Sequence, residues 1–213
     1  MKTIIYLIRH SEPLKKHLGI CKTDEIEKIR NEKNILSVNG EQKAKILSEA
    51  TEFKNIDVLY SSHYVRAVST AKYIAENNQI DINIDKCFGE RVFGVNDISE
   101  IPGDYHERQF YDRDYKLENG ESLNDLFKRM SEGFNNVYTT NKYKNIAILS
   151  HGTAICALLE KWCDLKYNKN NGLNEIFFNN KMIFDGNFNA PEVFKLVFDE
   201  SDILIDIENI IIK

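Results

Sequence analysis

Residues 4–8, IIYLI, run apolar without a break and then stop at Arg9 and His10. A short continuous run of β-formers predicts a strand buried on both faces, as a parallel sheet covered by helices requires. In open α/β sheets, ligands bind outside the carboxyl ends of the strands. This strand therefore delivers a guanidinium and an imidazole to the rim where such a fold does its chemistry.

The same construction recurs downstream. Residues 56–60, IDVLY, predict a second strand, followed at once by Ser61 and Ser62. A helix is expected from about Ser62 to Asn77, with Tyr64, Ala67, Val68, Ala71, Ile74 and Ala75 on its core face and Arg66 in its first turn. Residues 145–149, NIAIL, predict a third strand ending in Ser150, His151 and Gly152, with a buried helix over 154–162. Ser37 offers an N-cap for a helix over 40–53. Leu123, Leu126, Phe127, Met130, Phe134, Val137 and Tyr138 hold helical period behind the capping-box spacing of Ser122 and Asp125.

Residues 80–85 predict a short strand, and 193–198 and 203–212 predict closing strands. Residues 13–35 read as a loop with one short helix, and 87–119 as irregular chain. Alternating strands and helices define the expected fold as α/β. That is a single three-layer α/β/α domain over residues 1–213, with a mostly parallel central sheet and helices on both faces.

Composition narrows the function. Net charge is −5, with 28 basic and 33 acidic residues intermixed, so no basic block advertises nucleic acid or an anionic membrane. No apolar run approaches the roughly 18 residues a membrane span needs. The N-terminus lacks a leader signature, so a cytoplasmic location is expected. Cys21, Cys87, Cys156 and Cys163 lack zinc-like spacing and are expected to be reduced thiols.

Three strand ends thus present reactive side chains: Arg9 with His10, Ser61 to Arg66, and Ser150 with His151. Each alone is unremarkable, since strand-terminal histidines are usually structural and helix arginines usually solvated. Two imidazoles and two guanidiniums on one rim make an anion site, and the planar guanidinium fork suits phosphate oxygens. The five histidines, His10, His17, His63, His106 and His151, show neither HExxH nor HxH spacing. A divalent cation beside Arg9 and Arg66 would be repelled, so no metal and no cofactor are expected. No GxSxG elbow is present for a serine nucleophile.

These residues also carry a resemblance. LIRHSE at 7–12 is similar to the LIRHGE motif of the histidine phosphatase superfamily, the phosphoglycerate mutase-like phosphatases. SSHYVRAVSTA at 61–71 resembles that family's second motif, FGERVFG at 88–94 the segment carrying its acid, and LSHGTAI at 149–155 its last motif. NGES at 119–122 resembles its GES signature. All occur in the family's order, from residue 3 to about residue 160.

The resemblance implies a metal-independent phosphatase acting on a small phosphorylated substrate. His10 would take the phosphoryl group as phosphohistidine. Arg9, Arg66 and His151 would hold its oxygens, and Glu90 would protonate the leaving oxygen and then activate water. Ser11 stands where the family has glycine, Lys16 where many relatives have asparagine, and His63 where they have proline. Ser11 and Lys16 are therefore candidate substrate contacts, and Ser11 is a point of backbone strain if its φ must be positive.

Glu121 and Ser122 are expected to start a helix. Tyr105, Phe110, Tyr111 and Tyr115 are expected to pack the site's mouth, while Arg108 and Arg113 either meet a second anionic group or face solvent. Phosphoglycerate mutase-type transfer and a non-catalytic phosphate-binding module are the competing readings.

Overall fold

The computed structural model describes residues 1–15 and 27–212, so Lys16, His17 and Cys21 lie outside the described residues. Its centre is a six-stranded sheet ordered β3-β2-β4-β1-β8-β9. The strands are β1 (Thr3–Arg9), β2 (Val58–Ser61), β3 (Ile82–Ile84), β4 (Asn145–Ser150), β8 (Glu192–Phe198) and β9 (Leu204–Ile210). The first four run parallel; β8 pairs antiparallel with β1, and β9 with β8. The sheet is therefore mixed, with its parallel half carrying the expected polar strand ends.

β1 shows why three layers form. Its side chains alternate across the sheet. Ile5 and Leu7 join a core with Leu126, Met130 and Phe134 of helix α5 (Leu123–Thr140) and with Ile155 and Leu158 of α6 (Gly152–Leu159). Tyr6 and Ile8 join the opposite core, with Leu47 of α2 (Val38–Glu49) and Ala67, Ala71 and Ile74 of α3 (Val65–Asn78). Burying both faces of one strand needs helices on both sides.

The helix ends are set locally. Ser37 accepts from the Gly40 N–H, and Ser122 and Asp125 form a reciprocal capping box. Gly40 is required because a Cβ there would stand 2.1 Å from the Glu12 carbonyl oxygen. Two further α-helices among the described residues are short: α1 (Glu27–Glu32) and α4 (Tyr105–Tyr111).

Two features depart from expectation; the first is α4, which forms inside the 87–119 segment read as irregular. The other is a second sheet, the antiparallel meander β5 (Asp164–Asn168), β6 (Leu173–Phe178) and β7 (Lys181–Phe184), which packs Ile176 and Phe184 into the α5–α6 core. Its visible signal is Asn179–Asn180 between two apolar runs. Both residues have positive φ, 50° and 63°, as a two-residue hairpin turn demands.

Candidate active site

Sheet register brings the strand ends level. Arg9 of β1 lies beside Ser150 of β4, and Ser61 of β2 beside Leu149. The residues that follow therefore meet: the His10 and His151 rings are 5.1 Å apart, and Arg66, near the start of α3, reaches both. All three side chains are buried.

The hydrogen bonds define the tautomers. Nδ1 of His10 is 2.7 Å from the Ser11 carbonyl oxygen, which can only accept, so Nδ1 carries the proton. Nε2 then holds the lone pair and accepts from Arg66 Nε at 2.9 Å. The same guanidinium donates through Nη2 to His151 Nδ1 at 3.1 Å. This leaves His151 Nε2 to donate to the Ser62 hydroxyl at 2.8 Å. Nη1 of Arg66 donates to the Asn31 carbonyl at 2.5 Å, a contact supplied by α1.

Electrostatics agree with these assignments. Burial first, then the Arg66 and Arg9 charges, hold the His10 imidazole well below its ordinary 6.5. Burial, then His10 and Arg66, do the same to His151. Both rings are thus neutral, and His10 presents an unprotonated nitrogen toward two cations.

Arg9 donates to the Asn189 carbonyl at 2.6 Å and lies 5.3 Å over the Phe188 ring. Glu90 comes from the irregular chain between β3 and α4. Its Oε1 accepts from the backbone N–H groups of Arg91 at 2.9 Å and Ala154 at 3.1 Å, and its Oε2 from that of Thr153 at 3.3 Å. The carboxylate therefore sits at the N-terminus of α6, where unpaired N–H groups favour an acceptor.

One expected contact, Ser11, is engaged elsewhere. The Ser11 hydroxyl is fully buried and turns away to donate to the Gly40 carbonyl at 2.7 Å, and its N–H is taken by Thr70 Oγ1. Ser11 is not among the described residues with positive φ, so the change from glycine carries no left-handed strain. Lys16 lies outside the described residues. Glu121 also departs from expectation: Ser122 with Asp125 caps α5, while Glu121 pairs with Arg129.

Of the aromatic segment only Tyr105 is buried, while Phe110 and Tyr115 are half-buried and Tyr111 is 59% exposed. Tyr105 is fully buried against Phe93 and Tyr115. Arg113 is ion-paired with Glu160, and Arg108 lies 4.0 Å over Tyr115. Residues not anticipated from the sequence are Ser62 as partner of His151, Asn31 as the carbonyl that accepts from Arg66, and the Thr153 and Ala154 amides as the cradle of Glu90. Only the last had a signal, a helix opening directly after a strand end.

A cleft of about 500 Å³ opens beside Glu90 and is lined by Tyr64, His63, Lys28, Lys86, Glu121 and Arg129, among others. Among the described residues no group of three His, Cys, Asp or Glu could hold a metal ion, and no helix is long and apolar enough to cross a membrane.

The parallel strands of this mixed sheet gather two imidazoles, two guanidiniums and a helix-bound carboxylate at their carboxyl rim, an arrangement suited to an enzyme that handles phosphoryl groups. Residues 5–175 match the histidine phosphatase superfamily (branch 1), and the chain belongs to that family. It is 26% identical to phosphoserine phosphatase 1 of Hydrogenobacter thermophilus, over 73% of this chain and 75% of the relative. It is 31% identical to the uncharacterized phosphatase PhoE of Bacillus subtilis over 58% of this chain and 62% of that one.

Among solved structures, a mycobacterial glucosyl-3-phosphoglycerate phosphatase in complex with VO3 superposes with a TM-score of 0.70 at 16% identity, covering 98% and 97% of the two chains. A phosphoserine phosphatase of Entamoeba histolytica in complex with 3-phosphoglyceric acid gives 0.62 at 23% identity, covering 97% and 96%. These likenesses establish the shared fold.

Proposed function

We propose that this phosphomonoesterase hydrolyses small phosphorylated metabolites through a phosphohistidine on His10, without a metal. The observation that carries the reading is the His10 tautomer: Nδ1 is held as donor by the Ser11 carbonyl, so the lone pair stands on Nε2 between Arg66 and the second imidazole. Neutral imidazole is a competent nucleophile toward phosphorus. Phosphoryl transfer needs mainly in-line positioning and charge stabilisation; Arg9 and Arg66 supply the charge, and His151 holds Arg66 in place.

In the first step Nε2 forms a bond to phosphorus while the ester P–O bond breaks. The Arg66 N–H passes from the imidazole to a phosphoryl oxygen. The leaving oxygen takes a proton from the Glu90 carboxyl and departs as the alcohol. That proton belongs on Oε2, because Oε1 already accepts two N–H bonds and Oε2 one longer one. In the second step the Glu90 carboxylate takes a proton from water, the oxygen attacks phosphorus, and the P–N bond breaks to release phosphate and neutral His10.

The 500 Å³ cleft is lined by Glu90, and its size suits a small metabolite. Two relatives bear names pointing to phosphoserine and glucosyl-3-phosphoglycerate, both small phosphomonoesters. The test is His10→Ala assayed with an aryl phosphate, together with rapid-quench capture of an acid-labile phosphoenzyme in the parent. Loss of turnover and of the captured phosphate is expected. An unaffected rate in the variant would sink the mechanism.

A further inference from the structure

Glu121 does not cap α5; it faces Arg129 eight residues on. Arg129 Nε and Nη2 meet Glu121 Oε1 and Oε2, each at 2.8 Å, in a two-point ion pair. The guanidinium's other donors go to main-chain carbonyls. Nη1 donates to Cys87 O at 2.7 Å and Gly89 O at 3.2 Å, with Lys86 O at 3.4 Å; Nη2 approaches Glu90 O at 3.5 Å.

Glu121 holds the other side of the same segment. Its Oε2 accepts the Val92 N–H at 3.1 Å, and its own N–H donates to Val92 O at 2.8 Å. Immediately beyond, Gly94 has φ +79°, and a Cβ there would stand 2.2 Å from Gly120 N, so the two chains run in direct backbone contact.

Residues 87–92 are thus suspended between one guanidinium and one carboxylate, with Glu90 in the middle. This matters because residues 89–92 form neither helix nor strand, so no ladder of hydrogen bonds fixes where Glu90 stands. The reference frame is α5, 18 residues long and capped at its start. Both partners are about three-quarters buried, 24% and 21% exposed, so the pair is shielded from water more than a surface pair.

We infer that the Glu121–Arg129 pair positions the acid/base carboxyl: it sets the place of Glu90 relative to His10 by gripping the backbone on both sides of it. This rests on the reading of Glu90 given above. A misplacement of about 1 Å in a reacting group can cost on the order of a hundredfold in rate. Arg129 is a positioning residue, acting through the main chain of the loop.

The experiment compares two substrates. Glycerol phosphate needs its leaving oxygen protonated; dinitrophenyl phosphate does not. Values of kcat/KM report the steps through departure of the leaving group. Arg129→Met is expected to lower kcat/KM for glycerol phosphate at least about tenfold, and for dinitrophenyl phosphate by no more than about threefold, against the roughly hundredfold or larger contribution of a general acid. With the aryl ester a larger burst of phosphoenzyme accumulates, because the base for its hydrolysis is also displaced. Arg129→Lys, which keeps the charge and loses the fork, falls between.

Glu90→Gln serves as reference and should show the same substrate dependence, and adding Arg129→Met to it should cost no more than about twofold. Equal losses on both substrates for Arg129→Met, or full additivity in the double variant, overturn the positioning role. Absence of substrate dependence in Glu90→Gln overturns the assignment of Glu90 itself and removes the role with it. Should Arg129→Met not fold, Glu121→Gln carries the same comparison with the same expected pattern.

Discussion

Arg66 donates its Nε–H to Nε2 of His10 at 2.9 Å, the nitrogen we propose as the nucleophile. One cation thereby marks the lone pair and, after burial, adds to what holds the ring below its ordinary pKa. The same guanidinium is fixed by His151 and Asn31, so its position is set from three sides.

The tautomers can be read directly. In imidazole-nitrogen correlation spectra of labelled protein, His10 should appear as the Nδ1–H form and His151 as the Nε2–H form. Both should remain neutral at about pH 6, where an ordinary histidine is largely protonated. An Nε2–H signal for His10 would remove the proposed nucleophile.

Arg66→Lys should be far from conservative. An ammonium cannot span two imidazoles and a carbonyl with a planar fork. We expect kcat/KM toward an aryl phosphate to fall by about a hundredfold or more. A loss within about threefold in steady-state assays would contradict the bridging role.

Acid should destabilise the fold before its carboxylates titrate. Folded His10 and His151 have pKa values held below 6.5. Between 6.5 and those lowered values the unfolded chain binds protons that the folded chain does not, so stability is full above 6.5 and falls as pH drops. Each imidazole contributes a slope of up to about 1.4 kcal/mol per pH unit. Burial lowers His106 in the same direction. Urea midpoints should therefore fall between about pH 6.5 and pH 5, and His10→Asn should flatten that slope. A midpoint independent of pH across this window would contradict the burial of two neutral rings.

Ser11→Ala should separate stability from catalysis. The hydroxyl's bond to the buried Gly40 carbonyl is lost, at a cost of about 1–2 kcal/mol. Because that hydroxyl points away from His10 Nε2, kcat should stay within about twofold. A large kcat loss with an unchanged denaturation midpoint would return Ser11 to the phosphate.

Much of this was legible beforehand because the signals are local. The unbroken apolar run of β1, the caps at Ser37 and Ser122 and the three polar strand ends each act within a few residues. The family resemblance singled out Glu90, which no local feature distinguishes from other acids in the chain. The β5–β7 meander was missed although Asn179–Asn180 marks its turn, because its strands are short and only half-buried. Glu121 was misjudged for a related reason: one residue from a true cap, it looks like part of that cap, and its partner Arg129 emerges only when α5 turns.

By itself, the sequence determined the parallel strands, their covering helices and the residue types at the sheet rim, since side-chain period and capping are short-range effects. Only the tertiary structure decided which nitrogen of His10 is free, where the Ser11 hydroxyl points and what holds Glu90. Arg66 lies 56 residues from His10 and 85 from His151, and Glu90 lies 64 from the Ala154 amide. Contacts across such separations exist only once strand register and helix packing have brought the chain ends of three strands to one place.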